Sequence, residues 1–321
     1  MDDAREFSRV WSIVLAGGEG RRLRPMIRQW LGEHKPKQYC TFTGSRSLFQ
    51  HTLDRADQLS AQERKLAVVA RSHEEEASRQ LGNRNGRLVF QPRNRDTAPG
   101  VFLGLTYVRA TDPSATVVIY PSDHFVYPEP AFIDMVRHAV SAVELLKDRI
   151  VLLGVRPDHV ELDYGLIQLA QEIGSYGNAT LWKIAGFVEK PASNVARAMM
   201  KDRSLWNTLV VVGRLDALWK VGWRCLPSMM RLFEQLQGVI GTDREQVALE
   251  TIYQGMPVRN FSLDILERVP DLVTALEMRE ILWSDWGRPD RIAASLRLIG
   301  KEPAFPLSLL PPGKRPRLRW G

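Results

Sequence analysis

Short apolar stretches recur along the chain at intervals that leave room for one helix between neighbours. Residues Trp11–Ala16, Lys65–Ala70, Leu88–Gln91, Ala115–Tyr120, Arg149–Val155, Thr180–Val188 and Thr208–Gly213 are brief, β-branched-rich runs of the kind that buried strands show. Between them, Ser47–Leu59, Glu74–Leu81, Ala98–Arg109, Ala131–Leu146 and Ser193–Lys201 place apolar residues at three- and four-residue spacing, the helical period. Strands alternating with helices predict an α/β fold, a Rossmann-like three-layer α/β/α sandwich around a mainly parallel mixed sheet. Such sheets bind ligands beyond the C-terminal ends of their strands. After Arg214 the pattern turns helical, over Leu226–Gln237 and Glu245–Tyr253, before a late strand near Arg279–Trp283. With no internal repeat and no Gly/Ser linker, the pattern predicts one domain over residues 1–300 and a Pro-rich basic tail over 301–321.

Composition narrows this reading without redirecting it. Hydrophobic residues make up 44% and charged residues 25% of the 321, the balance of a packed globular chain, which excludes disorder for its bulk. The longest apolar runs fall far short of the roughly 20 residues a membrane helix needs. The opening MDDAREFSRV has no apolar signal core, and two cysteines, Cys40 and Cys225, imply no disulfide framework. A cytoplasmic protein is expected. The net charge of +7 sits in two places. Residues 301–321 carry five basic side chains against one acidic, and residues 21–37 carry six against Glu33. No recognition helix or aromatic platform accompanies them, so neither a nucleic acid nor a membrane is the expected partner. One local phosphate site plus a basic tail, Lys314 to Arg319, is. A homo-oligomer is left open.

The phosphate site has a concrete candidate. The strand SIVLA runs straight into Gly17-Gly18-Glu19-Gly20-Arg21-Arg22-Leu23-Arg24-Pro25. Glycines after a buried strand let backbone N–H groups approach a phosphate, and the arginines add charge. The loop is not a dinucleotide fingerprint, which needs glycine where Leu23 stands, nor a Walker loop, which needs Gly-Lys-Ser/Thr.

LAGGEGRRLRP followed by KPKQ resembles the signature of the sugar-nucleotide pyrophosphorylases, LAGG-x-G-x-RL-x-P and then PKQ. Further matches follow in the family's order: QPRNRDTAP at 91–99, YPSDH at 120–124, E-x-x-YG at 161–165, GFVEKP at 186–191, LWN at 205–207 and WSDWG at 283–287. The resemblance spans roughly residues 10–295 and is nearest the guanylyl branch. It implies transfer of GMP from GTP to mannose 1-phosphate, with release of pyrophosphate and with Mg²⁺ as cofactor. Another sugar 1-phosphate, a UTP or dTTP donor, or a catalytically weak regulatory homologue that binds the same ligands are the alternatives.

A phosphate monoester, with a second pKa of about 6, is already largely ionised near neutrality, so this reaction needs alignment, cations and a metal more than a general base. The resemblance assigns those tasks to Arg22, facing the departing pyrophosphate, to Lys37, on the transferred phosphoryl, and to Asp123. Asp123 and Asp285 are the implied metal pair. Gly17, Gly18, Gly20, Gln91 and Thr97 match the nucleotide-binding segments, with Asp96 standing where asparagine is usual. Glu161, Tyr164, Gly165, Glu189, Lys190 and Asn207 match the sugar-phosphate segments. Here the chain departs from the pattern: Leu162, Asp163 and Leu166 replace Thr, Gly and Tyr, and Thr208-Leu209-Val210 replaces Ser-Gly-Met, adding bulk where the sugar is expected. Ser122, Asp123 and His124 adjoin, but consecutive side chains on an extended segment face opposite ways, so no hydrolase relay is expected among them.

Overall fold

The computed structural model describes residues 9–310. Eleven strands form two sheets. In chain order they are β1 (Val10–Ala16), β2 (Lys65–Ala70), β3 (Arg87–Gln91), β4 (Thr116–Pro121), β5 (Phe125–Tyr127), β6 (Ile150–Val155), β7 (Leu166–Tyr176), β8 (Ala179–Val188), β9 (Ser204–Arg214), β10 (Val273–Met278) and β11 (Leu282–Ser284). Nine make one sheet in the order β3-β2-β1-β4-β9-β6-β10-β8-β7, while β5 and β11 pair alone. Only β8 and β9 run against the others.

The three-layer expectation follows from side-chain alternation along the central strands. Ile13, Val68, Ile119 and Leu152 face one apolar layer, which the helices Thr97–Thr111, Pro227–Gln237 and Glu245–Gly255 complete. Their chain neighbours Val14, Val69, Tyr120 and Leu153 face the other, covered by Leu48–Asp57 and Glu129–Leu145. Both faces of the sheet are thus buried, the condition under which parallel strands read as continuous apolar runs.

Three strands fall outside the sequence pattern. β7 carries Gln168, Gln171 and Glu172 and is exposed along much of its length, so it shows no apolar run. β10 reads VTALEM, rich in helix formers, yet every residue of it is buried. Glu277 within it is neutralised by Arg156 and Arg279. β5 has three residues, too few to carry a pattern. The late strand expected at Arg279–Trp283 is the equally short β11, displaced toward the C-terminus.

A third, smaller apolar cluster positions the site. Leu23, Met26 and Ile27 after the glycine turn pack with Phe42, Trp286, Ile292, Leu296 and Phe305. The N-terminal loop is thereby pinned to the last helix, Pro289–Leu298. The expected tail begins inside this cluster: Phe305 is buried, and the Ala304 N–H donates to the Phe42 carbonyl at 2.8 Å. Its basic run, Lys314 to Arg319, lies outside the described residues. Among those described, no helix is long and apolar enough to cross a membrane.

Candidate active site

The turn after β1 is held by side chains from the segment that follows it. Gln38 Nε2 donates to the Ala16 and Gly18 carbonyls at 3.0 and 2.8 Å, and the Tyr39 hydroxyl donates to Ala16 O at 3.1 Å. Gly20 has φ 58°, and a Cβ there would lie 2.9 Å from the Lys37 amide nitrogen. Glycine is therefore required both by the backbone conformation and by the close approach of Lys37. At Gly17 a Cβ would meet Gln91 Oε1 at 2.7 Å. The two glycines thus seat the chain against a predicted cation and a predicted nucleotide-binding residue.

Beside this turn is a cavity of about 300 Å³ at the C-terminal ends of β1 and β4, lined by Gly17, Gly18, Gln91, Thr97, Asp123 and Leu209 among others. Gln91 Nε2 donates to the Tyr253 hydroxyl at 3.1 Å, which fixes its amide. Thr97 opens the Thr97–Thr111 helix, where its hydroxyl accepts the Phe261 N–H at 2.8 Å. Asp96 caps that helix with φ 68° and also accepts from Asn260 Nδ2 at 3.1 Å, so the aspartate ties two segments together.

The expectation of divergence fails for Asp123 and His124. β4 ends at Pro121, the segment turns, and His124 Nε2 comes within 3.5 Å of Asp123 Oδ1. A relay still does not follow, because His124 donates from Nδ1 to the Thr208 carbonyl at 3.1 Å. Burial pushes the imidazole below its ordinary value against the pull of Asp123, so it is neutral.

Charged groups from both ends of the chain converge next to the cavity. Lys37 is almost fully buried, its Nζ 2.9 Å from Asp123 Oδ2 and hydrogen-bonded to the Asp285 carbonyl. Burial opposes ionisation of Asp123, and Lys37 overrides it, leaving the carboxyl below its usual value. Asp285 accepts Arg22 Nη2 at 2.7 Å on Oδ2. Its Oδ1 accepts Arg291 at 2.7 Å, the Tyr164 hydroxyl at 2.8 Å and the Gly287 N–H at 2.9 Å. Burial would raise its pKa, but Lys37 and Arg291 hold it well below the carboxylate range.

Of the expected sugar residues, Glu161 and Tyr164 join this network, and Gly165, Glu189, Lys190 and Asn207 lie outside it. Glu161 accepts the Leu162 and Asp163 N–H groups at 2.9 and 3.0 Å and pairs with Arg291. Tyr164 packs edge-on to Trp206 and Trp283, at 5.2 and 4.9 Å. The Asn207 N–H donates to the Gly165 carbonyl at 2.8 Å. A Cβ on Gly165 would meet Glu189 Oε2 at 2.8 Å. Burial pushes the Glu189 carboxyl up, while Lys190 beside it is largely exposed with φ 48°.

Arg291 went unread in the sequence. It stands in the first turn of its helix, where a cation opposes the helix dipole, and that misplacement is the signal of a buried acidic partner. Its guanidinium is buried over the Tyr164 ring, 4.9 Å from the centroid, with Asp285, Glu161 and Asp163 as partners.

The family model for nucleotidyl transferases matches residues 11–297. The chain belongs to the nucleotidyl transferase family. It is 25% identical to a mannose-1-phosphate guanylyltransferase of Escherichia coli, over 86% of this chain and 59% of that protein. It is 27% identical to the mannose-1-phosphate guanylyltransferase ManC of Salmonella typhimurium, over 87% and 58%. The nucleotidyl transferase chain therefore spans under three fifths of the length of these curated relatives. A crystal structure of a mannose-1-phosphate geranyltransferase from Thermus thermophilus is similar at 29% identity and a TM-score of 0.75, over 87% of this chain and 76% of that one. A mannose-6-phosphate isomerase structure from Helicobacter pylori shares the fold, at 18% identity and a TM-score of 0.68, over 86% of this chain and 99% of that one.

One strained position of this family member is Leu209. Its φ is 57°, a left-handed conformation that glycine adopts freely and that costs other L-residues roughly 1–2 kcal/mol. The expected bulk lines the cavity shared with Gly17 and Asp123. Because the strain is in the backbone, Leu209→Gly is expected to unfold at a higher temperature than Leu209→Ala, by about 1 kcal/mol of stability. The opposite order, usual inside a strand, would show that the backbone does not hold this conformation.

Proposed function

We propose that this chain transfers GMP from GTP to mannose 1-phosphate, forming GDP-mannose and pyrophosphate. The observation that carries the reading is the convergence of Arg22 and Lys37 with Asp123 and Asp285 beside a glycine-lined cavity at the strand ends. The acceptor phosphate arrives ionised, so the protein's task is to hold it in line with the α-phosphorus and to neutralise charge. Lys37, desolvated and rigidly held, suits the transferred phosphoryl. Arg22, half exposed at the rim, suits the departing pyrophosphate. Gly17, Gly18, Gly20, Gln91 and Thr97 are assigned to the nucleotide. Glu161, Tyr164, Gly165, Glu189, Lys190 and Asn207 are assigned to the sugar phosphate.

The donor set fits a magnesium ion. Asp123 is about a third exposed and offers Oδ1, while Asp285 offers Oδ2, which accepts from Arg22 and keeps a free lone pair. Among the described residues no cluster of three or more acidic, histidine or cysteine side chains is placed to hold a metal. A two-carboxylate site completed by phosphate oxygens and water is the usual magnesium arrangement. When bound, the ion supplies charge neutralisation on the phosphate oxygens.

The test is pyrophosphate release with Mg²⁺, each of GTP, UTP, dTTP, ATP and CTP, and a panel of sugar 1-phosphates. Response to GTP with mannose 1-phosphate supports the assignment. Response to a different pair keeps the chemistry and moves the substrate, a second reading that Asp163 and Leu209 favour. Binding of triphosphate with no turnover on any acceptor would favour the regulatory homologue. In the same assay Asp123→Asn is expected to lose at least about 100-fold in turnover while still unfolding in one cooperative transition. Turnover at the wild-type level would sink the metal assignment.

A further inference from the structure

Asp163 stands where the resembled family has glycine, and its carboxylate faces the loop arginine. Asp163 Oδ2 accepts Arg22 Nη1 at 2.8 Å and Arg291 Nη2 at 3.2 Å. We propose that Asp163 is a positioning residue that competes with the polyphosphate for Arg22, and so sets how tightly the site holds a nucleoside triphosphate and how readily it releases pyrophosphate. This rests on the nucleotidyl-transfer reading above.

The arrangement is built on both sides. From behind, Arg291 is buried and locked to Asp285 and Glu161, so it fixes the Asp163 carboxylate in place. From the front, Arg22 divides its guanidinium between two turns, Nη1 on Asp163 and Nη2 on Asp285. That guanidinium is seated against Gly287, where a Cβ would come within 2.6 Å of Arg22 Cζ and Nη2. The arginine is thus lodged in a fitted place and not ranging over the surface. Lys37, the other cation assigned to the phosphates, is already paired with Asp123.

Phosphate oxygens must therefore take Arg22 from a carboxylate partner. The bond to Asp285 is sheltered from exchange, because that carboxylate is only 8% exposed. Asp163 and Arg22 are both about half exposed, so their bond is the one exchanged at the rim. A carboxylate there weakens every anion that needs Arg22, substrate and product alike. It leaves alone a nucleotide with no β- and γ-phosphates.

Calorimetric titration of the full chain with Mg²⁺-GTP, Mg²⁺-pyrophosphate and GMP tests this on wild type, Asp163→Asn and Asp163→Gly. Both variants are expected to bind GTP and pyrophosphate about 3- to 5-fold more tightly, the range of one half-exposed ion pair. The gain should shrink at high salt, and GMP affinity should not change. In steady state, KM for GTP falls without a matching rise in kcat, and pyrophosphate inhibits more strongly. Unchanged or weaker GTP binding in both variants overturns the proposal, as does an equal gain for GMP. So does a rise confined to KM for the sugar phosphate, which would make Asp163 a scaffold of the sugar turn. Wild type that binds no nucleoside triphosphate at all would overturn the nucleotidyl-transfer reading itself.

Discussion

Asp285→Asn is expected to cost about 3 kcal/mol of stability, the usual penalty for breaking a buried charge network by removing one partner, and to abolish turnover with it. The carboxylate is 8% exposed and accepts from Arg22, Arg291, Tyr164 and the Gly287 amide. Asparagine keeps the shape but brings one acceptor oxygen and an NH₂ group that meets donors. Arg291, itself buried, would keep Glu161 and Asp163 but lose its link to the 283–287 turn. The acid dependence gives a second readout. Because the folded pKa of Asp285 lies well below its unfolded value of about 4, its contribution is complete above that pH and is lost progressively as pH falls through and below it. Denaturant unfolding should therefore show the largest gap between wild type and variant near neutrality, narrowing in acid. A gap that is constant from neutrality down to about pH 3, below the unfolded value, would mean that Asp285 stabilises by shape and not by charge.

Much of the fold was legible because its central strands are buried on both faces. Burial on both sides demands uninterrupted apolar residues, and β1, β2 and β4 supply them. The same rule explains the failures. β7 is buried only at its start, where it pairs with both β8 and β9, and is exposed on both faces over residues 170–172, while β10 is buried but composed of helix formers and contains Glu277, whose charge is answered by Arg156, far off in sequence, and by Arg279 just beyond the strand. No window confined to the strand contains that partnership.

The site divides in the same way. Gly20 and Lys37 are readable because the close approach of a loop to its own following segment is a local constraint. The network around Asp285 is not, since Arg22, Asp163 and Arg291 are brought together by the packing of Leu23 and Met26 against Trp286 and Ile292. A motif names the residues that touch ligand; it does not name the residues that hold those in register. Arg291 illustrates this, since only its position in a helix's first turn hints at a buried role.

A loss of at least about 1,000-fold in kcat is expected from Lys37→Met. The lysine is chosen because it is a buried cation that touches both proposed metal-binding residues, the Asp123 carboxylate and the Asp285 carbonyl. Methionine fills nearly the same volume, so packing under Gly20 is kept while the charge is lost. Removing the ammonium has two consequences that must be separated: the phosphoryl group loses its cation, and Asp123 loses its neutralising partner. A double-mutant cycle with Asp123→Asn separates them. Stability lost in Lys37→Met should be largely recovered in the double variant, because no uncompensated carboxylate remains. Turnover of the double variant should stay well below that of Asp123→Asn alone, because the cation's work on the phosphoryl group is not replaced by neutralising Asp123. If the double variant turned over as fast as Asp123→Asn, Lys37 would be a structural counter-charge, and the cation for the transferred group would have to be sought elsewhere, first at Arg22.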